Sequence, residues 1–145
     1  MRLECAPNRA RVRHVSGRAG HTSVYMQVQL LKSKIHRAGI TGASLDYEGS
    51  LTISRDLMDR VGLLPFERVL CSNLANGNRF ETYAIPGDPG TFEIILNGAA
   101  AHQGKIGDLL TIMSFGMVDE PVGSEWHPRV IVLGTGNQVV NERGI

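Results

Sequence analysis

A chain of 145 residues closes one hydrophobic core and leaves little for a second, so one domain is expected. With 20% charged residues and a formal net charge of +1, the chain lacks the basic footprint of a nucleic-acid binder, and no apolar run approaches the ~20 residues of a spanning helix. No apolar segment near the start reads as a secretory signal, so a soluble, cytoplasmic protein is expected, with neither nucleic acid nor membrane as partner.

Charge is unevenly spread along the chain. Residues 1–25 hold five arginines and one glutamate, which leaves 10 basic and 13 acidic residues in 26–145. This head has no apolar periodicity, and Met26 opens a strand-like run. Residues 1–25 are therefore read as a disordered basic extension or an upstream start assignment, ahead of a domain at 26–145. Cys5 and Cys71 have neither metal-ligand nor C-x-x-C spacing, so reduced thiols and no metal are expected.

From Met26 the pattern is short β-prone runs separated by glycine and asparagine. Strands are predicted at 27–31, 37–41, 50–53, 68–73, 79–85, 92–96, 108–115 and 130–133. A helix is predicted over 55–61, with Ser54 as N-cap, Asp56 in the first turn and Gly62 as the stop. A second short helix is predicted at 98–101. Asn76-Gly77 reads as a hairpin turn, because both residues tolerate positive φ. Past Gly134 the chain turns polar and is expected to fray. These elements make a mainly β protein, a small barrel or sandwich.

The segment Asp46-Tyr47-Glu48-Gly49-Ser50 is the candidate for chemistry. A Gly-Ser pair alone is an ordinary turn. In a strained bend, however, the serine hydroxyl can attack the carbonyl just upstream, and glycine has no Cβ to obstruct such a bend. The resulting ester can undergo β-elimination, leaving a pyruvoyl group at position 50 and a chain cut in two. That ketone can form a Schiff base with an amino acid and accept electrons as carbon dioxide leaves, the task of pyridoxal phosphate elsewhere.

Five segments carry a specific resemblance: Lys32-Ser33-Lys34-Ile35-His36-Arg37, Leu45 through Ser50, Asn76-Gly77-Asn78-Arg79-Phe80, Thr82-Tyr83-Ala84-Ile85, and Asn97-Gly98-Ala99-Ala100-Ala101-His102. In order and spacing, residues 26–145 resemble the bacterial pyruvoyl-dependent aspartate 1-decarboxylases. The resemblance implies a six-stranded double-psi β-barrel with short capping helices, a homotetramer, and self-cleavage into 1–49 and 50–145. It also implies conversion of L-aspartate to β-alanine for pantothenate synthesis, on a pyruvoyl cofactor made from Ser50 and without pyridoxal phosphate or metal. Whether a maturation factor assists the cleavage is left open.

Position by position, the resemblance makes Gly49 and Ser50 the cleavage pair, Thr82 the residue that assists cleavage by bonding the Gly49 carbonyl, and Tyr83 the proton donor. Lys34 and Arg79 match substrate-carboxylate contacts, while Asn97 with the backbone of Gly98, Ala99 and Ala100 matches a polar wall of the pocket. The residue types suit these tasks. Two carboxylates call for two cations, with arginine offering parallel donors, and a phenol keeps its proton at neutral pH.

Taken singly, each has an ordinary reading: Lys34 and Arg79 as solvated charges, Thr82 and Tyr83 as strand residues, Asn97-Gly98 as a turn. His36 and His102 are given no chemical role. On a flat strand Arg79 and Tyr83 share a face but lie about 13 Å apart, at roughly 3.3 Å per residue. One small substrate does not touch both, so either the strand curves or the site combines residues of two subunits. Some members of the resembled family carry an aromatic residue where Ser72 stands, which puts one pocket wall in question. A serine hydrolase built on Ser50, His36 and Asp46 lacks the G-x-S-x-G elbow. A catalytically silent β-barrel scaffold remains the alternative should Gly49-Ser50 prove an uncut turn.

Overall fold

The computed structural model describes residues 26–145; the basic head 1–25 lies outside the described residues. In chain order the elements are β1 (Gln27–Gly39), β2 (Gly42–Ser44), β3 (Ser50–Ser54), α1 (Arg55–Val61), β4 (Arg68–Asn73), β5 (Arg79–Gly87), β6 (Ile94–Asn97), β7 (Leu109–Asp119), β8 (Arg129–Leu133) and β9 (Val139–Arg143). Two short 3-10 helices, Gly98–Gln103 and Thr135–Asn137, complete the described elements. The protein is mainly β, as its punctuation predicts.

The strands form one mixed sheet in the order β2-β6-β3-β5-β4-β7-β1-β8-β9. Its nine strands exceed the six implied by the resemblance, and the end strands β2 and β9 do not pair with each other. Three pairs are parallel (β2 with β6, β3 with β5, β1 with β8), and the other five neighbouring pairs are antiparallel, including the run β5-β4-β7-β1. The core between them is aliphatic, with Ile35, Leu51, Ile53, Ile94, Leu96, Ile112 and Ile131 all essentially without solvent contact.

Where the sequence predicts two strands at 27–31 and 37–41, β1 is continuous. Lys32, Lys34 and His36 look like an interruption, but they alternate with the buried Ser33 and Ile35, so the period of two runs straight through. The bends fall at register shifts between Leu31 and Ser33 and between His36 and Ala38, the second beside Arg37 at φ 62°.

The helix α1 has its predicted bounds and buries Leu57, Met58 and Val61. Gly62 at φ 66° ends it: the Gly62 N–H bonds to the Asp59 carbonyl at 3.2 Å and the Leu63 N–H to the Met58 carbonyl at 2.9 Å. Ser54 precedes the helix but its hydroxyl donates to the Asp88 carbonyl at 3.3 Å instead of capping. The 74–78 connection is longer than a two-residue hairpin, with only Gly77 left-handed and the Asn76 carboxamide accepting from the Asn78 N–H at 2.8 Å. The tail beyond Gly134 does not fray. Asn137 is buried, exchanges hydrogen bonds with the Gly39 backbone at 2.7 and 2.9 Å and donates to the Phe92 carbonyl at 2.8 Å, after which β9 pairs with β8. No helix among the described residues is long and apolar enough to cross a membrane.

Candidate active site

The Gly49-Ser50 junction opens β3. Gly49 has φ 102° and Ser50 has φ 115°, the second a conformation that residues with a Cβ rarely adopt. Ser50 is nevertheless almost fully buried, because β3 runs between β5 and β6 and Leu51 and Ile53 drive it into the core. A buried serine on a strained backbone, directly after a glycine of positive φ, is a chemically distinctive arrangement.

Asn97, at the end of β6, pairs with Ser50 in the antiparallel ladder. Its carboxamide nitrogen donates to the Ser50 hydroxyl at 3.2 Å and to the Thr52 hydroxyl at 2.9 Å. The Ser50 oxygen thus accepts a hydrogen bond from a side chain that is itself buried. Gly98 follows at φ 60°. A Cβ at this position would lie 2.8 Å from the Cα and nitrogen of Gly49 and from the Tyr47 carbonyl oxygen, so the missing side chain is what lets the 47–49 segment lie against the 3-10 helix.

A cavity of about 320 Å³ opens at this junction, a size suited to a small metabolite. Gly49, Ser50 and Asn97 line it, together with Thr82 and Tyr83 from β5 and Ala99 and Ala100 from the 3-10 helix. Neighbouring strand positions point to opposite faces on a flat strand, yet half-buried Thr82 and partly exposed Tyr83 both line the cavity. Sequence reasoning assigns no role to Phe80, Glu81 or Gln103, which also line it. Their spacing carries no signal; they line the cavity only because β5 pairs with β3 and the 3-10 helix follows β6.

Lys34 and Arg79 are absent from this lining. Lys34 borders a separate cavity of about 380 Å³ with Leu31, His127 and Arg143. Arg79 lies exposed at the start of β5, opposite Ser72 of β4, which does not line the Ser50 cavity either. Among the described residues neither Lys34 nor Arg79 forms an ion pair. His36 bonds the Thr111 hydroxyl at 3.0 Å, away from the cavity, so the hydrolase arrangement does not form. Burial first, and then the charges of Lys34, Arg37 and Arg143, lower its pKa.

The protein is thus a small mixed-sheet β protein whose one buried strand-start serine sits strained in a metabolite-sized cavity. Residues 26–140 match the family described as aspartate decarboxylase. The chain is 47% identical over 111 residues to the aspartate 1-decarboxylase of Desulfotalea psychrophila, covering 77% of this chain and 93% of that protein. It is 45% identical over 119 residues to that of Burkholderia cenocepacia (81% and 93%) and 44% identical over 116 residues to that of Thermoanaerobacter pseudethanolicus (80% and 99%). This chain belongs to the aspartate decarboxylase family.

Proposed function

We propose that this chain cuts itself between Gly49 and Ser50, turns Ser50 into a pyruvoyl group, and decarboxylates L-aspartate to β-alanine. The observation that carries the reading is the strained Gly49-Ser50 pair, with Ser50 buried under an Asn97 hydrogen bond. The residues fit such a group: the hydroxyl that would generate it is buried beside a cavity, and Gly98 leaves room for the segment that must bend.

In maturation the Ser50 hydroxyl adds to the Gly49 carbonyl carbon and the C–N bond breaks, which leaves an ester on Oγ and a free amine on residue 50. Loss of the Cα proton expels the Gly49 carboxylate from Cβ. The enamine so formed tautomerises, takes up water and releases ammonia. Thr82, which lines the same cavity as Gly49, supplies a donor for the Gly49 carbonyl as charge develops on it. The products are 1–49 and 50–145.

When formed, the pyruvoyl group supplies an electrophilic carbonyl and an electron sink for the departing carboxylate. Tyr83 holds a phenolic proton at the cavity rim and delivers it to the substrate carbon that has lost carbon dioxide. Asn97 and the backbone of Gly98, Ala99 and Ala100 orient the substrate, and Lys34 and Arg79 take its carboxylates from a second subunit or across a closed interface. The sheet in this reading closes as a double-psi barrel within a cytoplasmic homotetramer, and the product feeds pantothenate synthesis.

Denaturing electrophoresis of the purified chain is expected to give two fragments, and Ser50→Ala one intact chain. The larger fragment should be lighter than the same fragment carrying an N-terminal serine by the mass of one ammonia. An uncut wild-type chain that still consumed aspartate would defeat the reading.

A further inference from the structure

Phe66 occupies a backbone position that its residue type disfavours. It is the third residue of a turn over 64–67, closed by the Glu67 N–H on the Leu64 carbonyl at 3.2 Å, and its φ is 65°. Glycine or asparagine suits that left-handed position, because an L-residue there crowds its Cβ against the backbone. Burial does not compensate, since Phe66 is 74% exposed. Its ring meets Tyr83, with centroids 6.5 Å apart and planes tilted by 39°, inside the range of about 4.5–7 Å for interacting aromatic pairs.

The turn is tied to β5 on both sides of that contact. The Phe66 N–H bonds to the Ala84 carbonyl at 2.8 Å, and the Ala84 N–H bonds to the Glu67 carbonyl at 2.9 Å. The Glu67 carboxylate accepts the Leu64 N–H at 2.9 Å and the Lys32 ammonium at 2.7 Å, which stiffens the turn itself. A strained residue that is held rigidly, exposed and aimed at one side chain points to a task for its ring.

We propose that Phe66 is a positioning residue for Tyr83, its ring confining the phenol to orientations over the cavity that Ser50 lines. This rests on the reading of Tyr83 as proton donor. Tyr83 is 38% exposed, so its side chain has other rotamers open to solvent, and the Phe66 ring occupies one flank of that space. Misaimed, the phenol transfers its proton more slowly while the carboxylate contacts that hold substrate are untouched.

The test uses the full chain, processed and matched for pyruvoyl content, with Phe66→Asn, Phe66→Tyr, Tyr83→Phe and the Asn/Phe double variant. Asparagine accepts the left-handed backbone and lacks the ring, so Phe66→Asn should self-cleave normally and melt at or above the wild-type temperature. Its kcat should fall about three- to tenfold with KM nearly unchanged, and Phe66→Tyr should restore kcat. Added to Tyr83→Phe, it should cost nothing further. A wild-type kcat for Phe66→Asn beside a slow Tyr83→Phe overturns the proposal alone. So do losses that multiply in the double variant, or a Phe66→Asn chain that melts early or stays uncut, since the ring would then be holding up the fold. A Tyr83→Phe enzyme at the wild-type rate removes the proton-donor reading, and this inference with it.

Discussion

Gly98 meets the tightest steric limit beside the Gly49-Ser50 bond. Any Cβ there collides with two backbone atoms of Gly49 and one of Tyr47, and backbone, unlike a flexible side chain, cannot step aside cheaply. The positive φ adds to the penalty. Gly98→Ala is therefore expected to slow the proposed self-cleavage by about tenfold or more, because in that reading a shift of about 1 Å in the Gly49 carbonyl loses the attack geometry. Time courses of the uncut band would check this, and cleavage at the wild-type rate would show that Gly98 is only a loop residue. From sequence, Gly98 is one member of a small-residue run. Its contact with Gly49 joins positions far apart in the chain and appears only once β6 pairs with β3.

Two elements show how local chemistry and packing divide the work. Gly62 ends α1 as its sequence position predicts, since a left-handed carbonyl-capping residue is a local demand. The 64–67 turn depends instead on a distant strand, through the bond from Lys32 of β1 to Glu67. Burial by itself would raise the Glu67 carboxyl, but the Leu64 N–H and the Lys32 ammonium outweigh it and hold its pKa below the ordinary value. The Asn73 carboxamide first, then the Lys105 N–H, do the same for Asp108. A carboxyl depressed in the folded state stabilises it above the unfolded pKa, near 4 by the usual reference of about 3.9–4.3, and that contribution is lost as pH falls through the folded value. The melting temperature should drop on acidification below about pH 5. Glu67→Gln should lower it at neutral pH and flatten the acid slope, and an unchanged slope would remove Glu67 from the account.

At the scale of the whole molecule, neither of the cations Lys34 and Arg79 lines the cavity at Ser50 in one chain, and Lys34 borders another cavity. If sites are completed between subunits, a Lys34→Ala chain and a Ser50→Ala chain are each defective for different reasons. Hybrid oligomers refolded from both should then recover activity, because a Lys34 from one chain meets a processed Ser50 from the other. Mixtures with no more activity than the separate variants would mean that each chain builds its own site. The same experiment with Arg79→Ala in place of Lys34→Ala tells which strand crosses.

The sequence alone determined what local rules govern: a mainly β chain, the bounds of α1 and its glycine stop, the strands at 50–53 and 68–73 to within a residue, and the Gly49-Ser50 pair with its surrounding motifs. These are legible because turn residues, side-chain alternation and motif spacing act over a few positions. Tertiary structure decided the rest. It merged β1 across its charged residues, ordered β9 through Asn137, placed Asn97 on the Ser50 hydroxyl, and kept Lys34 and Arg79 out of the cavity. Each of those outcomes depends on which strands become neighbours, a long-range choice made by burying the aliphatic face of the sheet, and no short stretch of residues encodes it.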